Sequence, residues 1–245
     1  MKYLLLLLLM SLGSITSPVQ GAPQLNIGSL YEYFDGNRST SLKRIYNSGD
    51  TAAFVKITVA ELVYAADGTV SEVPLDGLPA EQRSLIASPA RVIVPPDGMQ
   101  QVRLLYRGER LSERYFRLRF IPVLPETGDG FGLTSEQARQ YNEALSAGVN
   151  ILAGYGAVMF VKPAQTTYAT EVVHESGRFI VPNKGNATVV LDHFNDCDRN
   201  GQHCAAPTKH HIRPGKSLSF EKKTGRSYRF VLQEGPQSRH HEFEG

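Results

Sequence analysis

The run from Ser88 to Val123, SPARVIVPPDGMQQVRLLYRGERLSERYFRLRFIPV, constrains the fold more than any other part of the chain, because it holds three strand patterns and their turns. Arg91 to Val94 is a β-branched run halted by Pro95-Pro96, and Asp97-Gly98 then supplies a turn. From Gln101 to Tyr106 polar and apolar side chains alternate, which puts Val102, Leu104 and Tyr106 on one face. A polar connector leads to a second alternating run, Tyr115 to Ile121, with Phe116, Leu118 and Phe120 on one side and Arg117 and Arg119 on the other. Half-buried strands in such close succession predict an antiparallel β-sandwich.

The block resembles the N-terminal domain of periplasmic pilus chaperones, in which a proline-containing turn precedes a Q-x-V-R-[LF] strand and then a Y-[RF]-x-x-[FW] strand. The similarity continues through LNIGSLYEYF near the start and through NKGNATVVLDHF, CDRNGQHC and IRPGKS later, covering nearly the whole mature chain. Among these chaperones it looks closest to the alternative class that serves common pili and colonisation-factor fimbriae. The resemblance implies an all-β protein of two immunoglobulin-like sandwiches, the second smaller. It also implies a periplasmic assembly protein that works without cofactor, nucleotide or catalysis. Its partners would be pilin subunits and an outer-membrane usher.

The start of the chain agrees with export. Lys2, an apolar run from Leu4 to Met10 and small residues up to Gly21 read as a signal peptide over residues 1–21. That run is shorter than the roughly 20 residues a membrane span needs, so no membrane insertion is expected. Removing 21 of 245 residues leaves 224, room for two modest domains. A formal net charge of +2 gives no field that would gather nucleic acid. Cys197 and Cys204 are the only cysteines, and an exported chain with two so close is expected to join them. Asn200-Gly201 between them reads as a two-residue hairpin turn. Closing so short a ring is worth about 2.5 kcal/mol in the chain-entropy picture, enough for a hairpin but not for a domain.

The patterning divides the chain into a first domain over residues 22–163, a linker over 164–169, a second β domain over 170–235 and a flexible tail over 236–245. In the first, Leu30–Phe34 and Ser41–Tyr46 read as the opening strand pair, Phe54–Leu62 as a strand, and Val73–Glu81, with its prolines and Asp-Gly, as a loop. Residues 125–148 form a connection far longer than the usual 2 to 5 residues of a hairpin. Thr134 and Gln137 make a capping-box pair, and Ala138, Tyr141, Ala144 and Leu145 recur at helical spacing, so this connection reads equally as a short helix or as a loop without one. In the second domain, strands are expected at Arg178–Val181, Ala187–Phe194, Lys209–Arg213, Ser217–Phe220 and Tyr228–Leu232.

No sequence pattern of a nucleophilic hydrolase, a zinc protease or a phosphate-cradling loop occurs. His193, Cys197, His203 and Cys204 fit no zinc spacing, and an exported chain favours the disulfide, so no metal site is expected. The sharper candidate is the run from Val149 to Val161. Val149, Ile151, Ala153, Tyr155 and Ala157 share one face, and the run turns apolar on both sides near its end, as though one strand serves two neighbours. On periodicity alone this is a core strand. In pilus chaperones the corresponding last strand lends alternating apolar side chains to a pilin that lacks its own final strand, so these five residues are the expected subunit-binding set. An open apolar edge of this kind leaves room for a free copy to pair with a second one.

The same proteins use one basic residue on the first strand and one in the last to hold the pilin's C-terminal carboxylate. Tyr31 and Val158 occupy those positions here, which leaves Lys162, Arg117 and Arg119 as candidate anchors. Two other classes fit an exported β-rich chain: a pilus subunit or adhesin, and a secreted sugar-binding module. The first should carry an alternating donor segment at its mature start, whereas Ala22–Ile27 is short and contains Pro23. The second commonly uses tryptophan platforms, and this chain has no tryptophan.

Overall fold

A computed structural model describes residues 21–146 and 151–245. Two β-sandwiches follow one another, each around its own apolar core. In the first, a four-stranded sheet runs β1 (Leu25–Asn26), β3 (Thr40–Asn47), β8 (Gly98–Tyr106), β6 (Leu85–Ser88). Opposite lies a six-stranded sheet of β2 (Tyr31–Phe34), β10 (Tyr155–Val161), β9 (Arg114–Pro122), β4 (Ala53–Tyr64) and β5 (Val70–Pro74). Its sixth strand, β7 (Arg91–Val94), pairs with the first part of β4, where Ala53 meets Val94, while β5 pairs with the last part, where Tyr64 meets Val70. The period-2 faces expected from sequence are the ones buried. Val102 and Leu104 from one sheet and Phe116, Leu118 and Phe120 from the other have no exposed surface, and Tyr106 meets Phe116 edge-on at 5.9 Å.

The opening strands do not pair with each other as expected. The first strand is split, β1 pairing with β3 in one sheet and β2 running parallel to β10 in the other. The chain crosses between sheets at Gly28, whose φ of 65° lies in the left-handed region that glycine adopts without strain. It crosses back after β2 through Asp35 and Gly36. A side chain at Gly36 would come within 2.4 Å of the Pro163 carbonyl oxygen, so only glycine passes that point. Part of the stretch read as a loop is strand β5 and a turn of 3-10 helix at Ala80–Gln82. Every residue of β5 is exposed, so no alternation marks it.

The long connection contains helix α1 (Ser135–Ser146). Thr134 Oγ1 accepts from the Gln137 amide (3.2 Å) while Gln137 Oε1 accepts from the Thr134 amide (3.0 Å), a reciprocal cap. Tertiary packing supplies what so short a helix lacks. The Tyr141 ring meets Phe54 edge-on at 4.7 Å, its hydroxyl donates to the Ala52 carbonyl (2.6 Å), and Ala138 is buried.

The second sandwich pairs a three-stranded sheet, β11 (Val173–His174), β12 (Arg178–Pro182) and β15 (Ser217–Glu221), with a four-stranded one. The latter runs β14 (Thr208–Ile212), β13 (Val189–Asp198), β16 (Arg226–Glu234), β17 (Gln237–Glu244). Phe179, Phe194 and Phe230 pack at its centre. Strand β17 corrects the expectation of a flexible tail: residues Gln237 to Glu244 pair along the whole of β16, and Phe243 packs on Phe179 at 4.7 Å. The second sandwich therefore extends to Glu244 rather than ending at residue 235.

Cys197 and Cys204 are joined, and the strands around them close into a hairpin. The turn has four residues rather than two. The Asp198 amide donates to the His203 carbonyl (3.0 Å), and only Gly201 has a positive φ, 69°.

Candidate functional site

The last strand of the first sandwich is shorter than its apolar pattern. Val149 lies outside the described residues. Ile151 and Ala153 are exposed and belong to no strand, and β10 begins only at Tyr155. On the β9 side, continuing the register that pairs Tyr155 with Phe120 would bring residue 153 opposite Pro122, which has no N–H to donate. On the β2 side pairing starts later still. The Val158 amide donates to the Leu30 carbonyl (2.8 Å) and the Lys162 amide to the Phe34 carbonyl (2.9 Å), in a register that matches Val158 to Tyr31 and Val161 to Phe34.

One step back along that ladder the amide of Gly156 faces the same way, but the chain before Leu30 has already turned away. In the same register its partner would be the carbonyl of Gly28, where the chain turns, while the neighbouring Ser29 carbonyl accepts from the Lys43 ammonium (2.5 Å). The first three residues of β10, Tyr155 to Ala157, thus pair only with β9, while the last four are walled on both sides.

Side chains along this half-edge divide the expected donor set. Ile151 is 80% exposed, Tyr155 is half-buried against the end of the core, and Ala157 has no exposed surface. Ala157 already belongs to the sandwich's own core together with Met159 and Val161, which removes it from the expected set. On the opposite face Gly156 carries no side chain, so Arg117 and Arg119 border the edge directly, and both turn to Glu72 (3.6 and 2.5 Å).

Lys162 sits elsewhere, at the exit of β10 into the cleft between the sandwiches. This cleft of about 640 Å³ is lined by Tyr33, Asp35, Lys162, Tyr168, Thr188 and Gln233 among others. The Lys162 ammonium is buried, meets Asp35 Oδ1 at 2.9 Å and lies 5.8 Å from the Tyr168 ring centre. Burial pulls its pKa down, but hydrogen bonding to Asp35 and Tyr168 outweighs this and leaves it above the usual lysine value. The Asp35 side chain is 64% exposed, whereas that of Lys162 is 9% exposed.

The two sandwiches meet through polar and aromatic contacts beside this cleft. Glu113 is buried and accepts from the Thr188 amide (2.9 Å), the Thr188 hydroxyl (2.6 Å) and the Tyr115 hydroxyl (2.7 Å). Burial raises its carboxyl pKa, and those hydrogen bonds only partly oppose the rise. His211 of β14 lies between Tyr31 (4.3 Å) and Phe160 (4.8 Å) and hydrogen-bonds the Tyr33 hydroxyl through Nε2 (2.6 Å). Burial brings its pKa down to about 4, so near neutrality the ring is uncharged. The Arg213 guanidinium stacks 3.4 Å from the Tyr64 ring centre. Tyr31 and Val158, the positions where a basic pair was looked for, are therefore register partners, and the Tyr31 ring serves this aromatic stack.

Sequence reading missed Asp35, Glu113 and Lys43. Lys43 offers a usable signal: it falls in phase with the inward Ile45 and Asn47 of β3, and its buried ammonium pairs with Glu32 (2.6 Å). Among the described residues no group of three or more His, Cys, Asp or Glu could hold a metal ion, and no helix is long and apolar enough to cross a membrane.

The chain is similar to known proteins in sequence and in fold. The chain is 25% identical over 213 residues to the probable fimbrial chaperone EcpB of Klebsiella pneumoniae subsp. pneumoniae, covering 86% of this chain and 87% of that one. It is 26% identical over 215 residues to the probable fimbrial chaperone EcpB of Escherichia coli O1:K1 / APEC, with the same coverage. Its homologues are fimbrial chaperones. Solved structures of such chaperones share the two-sandwich fold. The class 5 fimbriae chaperone CfaA superposes with a TM-score of 0.54 at 18% identity, over 89% of this chain and 98% of that one. A chain of the Salmonella enterica complex of SafA pilin with the SafB chaperone superposes with a TM-score of 0.52 at 11% identity, over 90% and 96%. No protein-family model matches the chain.

Proposed function

We propose that this protein is a periplasmic chaperone that completes an unfinished fimbrial subunit by lending it the open half of β10, keeps that subunit from aggregating and passes it to an outer-membrane usher. The observation that carries the reading is the division of one strand. Residues 158–161 are locked between β2 and β9, whereas Tyr155 to Ala157 leave one edge free, with exposed Ile151 and Ala153 leading into it. A client strand laid along that edge would satisfy its free backbone groups and cover Ile151 and Tyr155. Burying one such side chain contributes about 1.5 to 3 kcal/mol, so two or three of them supply affinity, while a one-residue slip would point all of them the wrong way.

The client's C-terminal carboxylate binds Lys162, the candidate that faces the cleft, with Asp35 holding the ammonium until the client arrives. Arg117 and Arg119 flank the client strand instead. The test is co-expression with candidate fimbrial subunits and recovery of a soluble 1:1 complex. Ile151→Asp leaves the chaperone folded, since Ile151 contacts little of it, and abolishes recovery; undiminished recovery would overturn strand lending. Lys162→Ala leaves the complex recoverable but weakens it about tenfold or more, in keeping with loss of a buried charged contact. Unchanged affinity would move the anchor away from Lys162.

A further inference from the structure

The disulfide of the second sandwich has a neighbour that a purely structural crosslink does not need. Arg229, in the middle of β16, places Nη2 3.2 Å from Cys197 Sγ and 3.4 Å from Cys204 Sγ. Nearby arginines each hold a carboxylate, Arg226 on Asp196 (2.7 Å) and Arg199 on Glu244 (3.4 Å). Arg229 pairs with no carboxylate among the described residues, and its guanidinium is directed at the two sulfurs under the turn at Gly201, where an added side chain would lie 3.6 Å from Nη2. The cysteines differ in access: Cys197 has no exposed surface, while Cys204 is exposed.

A cation touching a disulfide matters chiefly when the bond breaks. Neutral sulfur gains little from it, but a thiolate is stabilised by an adjacent guanidinium, and a leaving thiol of lower pKa leaves faster. We propose that Cys197–Cys204 is an exchange-competent disulfide, entered by thiols at Cys204 and activated by Arg229, which holds the departing Cys197 thiolate. An incoming thiolate attacks Cys204 Sγ. A bond forms between the two sulfurs, the Cys204–Cys197 bond breaks, and its electron pair leaves on Cys197 Sγ beside Arg229. With a dithiol partner, the second thiolate attacks the mixed disulfide and expels Cys204 as thiolate, which takes a proton from water. The partner ends as a disulfide and both cysteines are reduced. The partner is therefore a dithiol reductant, and the reverse sequence reoxidises the hairpin.

The consequence is local. The hairpin between Asp196 and Ala205 keeps its backbone bonds, Asp198 amide to His203 carbonyl (3.0 Å) and Ala205 amide to Asp196 carbonyl (2.8 Å), but loses its crosslink. The Asp198 carboxylate stays tied to His203 Nδ1 (2.8 Å), and its pKa, held down to about 2 by that bond, keeps it charged throughout.

The experiment uses the full chain and dithiothreitol as the dithiol, with the free thiols counted by alkylation and mass spectrometry over time. Arg229→Gln is expected to slow reduction about threefold to tenfold, and Arg229→Lys, which restores a cation, to recover part of the rate. Brief treatment with glutathione should place the mixed disulfide on Cys204. Equal rates in the wild type and Arg229→Gln, or glutathione on Cys197, would overturn the proposal. If Arg229→Gln does not fold, Arg229→Lys and the site of glutathione attachment still decide it.

Discussion

At the scale of single residues, the contacts between the sandwiches hold two groups, His211 and Glu113, whose protonation is linked to folding. His211 is uncharged between Tyr31 and Phe160, with a folded pKa of about 4 against 6.5 unperturbed. A group of that kind stabilises the fold in its neutral form, so its contribution is full above about pH 6.5 and is lost as pH falls towards 4. Glu113 has the opposite linkage. Its raised carboxyl pKa gives a contribution that is full at low pH and lost as pH rises through the raised value. Urea unfolding of the wild type and of His211→Phe at pH 7 and pH 4.5 isolates the first effect, because Glu113 is common to both. The phenyl ring keeps the stack but cannot titrate. The wild type should lose about 1–2 kcal/mol more than the variant on acidification, the full conversion being reduced because part of the ring meets water. Equal losses would show that His211 does not report the interface. None of this was legible in the sequence, which puts His211 in an expected strand, Lys209–Arg213, but not beside its partners: Tyr31, Tyr33 and Phe160 lie in the other sandwich, and nothing local marks them.

At the scale of elements, legibility followed one-sided burial. Strands β8 and β9 announce themselves because one face of each is buried and the other polar. Strands β5 and β17 were hidden for the reverse reason, their exposed edge positions leaving little alternation to read. The pairing of β2 with β10 rather than β3 was invisible because a split first strand depends on where Gly28 and Gly36 let the chain cross, not on propensity. The apolar run of β10 overstated the strand, since apolar residues can also lie exposed outside it, as Ile151 does. Helix α1 lay between these cases: its cap was readable, its packing on Phe54 was not. Thr134→Ala removes the acceptor for the Gln137 amide and should cost the helix about 1 kcal/mol. Hydrogen exchange in α1 would then quicken about fivefold while the melting temperature of the sandwiches stays put. Unaltered exchange would mean that packing through Tyr141 alone holds the helix.

At the scale of the whole molecule, two sandwiches meet along β10 and β14, and the same strand that anchors the interface at its end leaves an edge free at its start. Phe160 stacks on His211, Lys162 enters the cleft, and six residues earlier Gly156 presents an edge with no strand beside it. The closed half of β10 is paired on both sides, by β2 and by β9, and under the proposed function it would set the register of a client strand on the open half. Amide hydrogen exchange along residues 151–161, with and without a co-purified fimbrial subunit, tests this most directly. The account predicts fast exchange at Gly156 and slow exchange at Val158 and Phe160 in the free protein, with Gly156 becoming as slow as they are in the complex. A Gly156 amide already protected in the free monomer, or one left unprotected by a bound subunit, would contradict it.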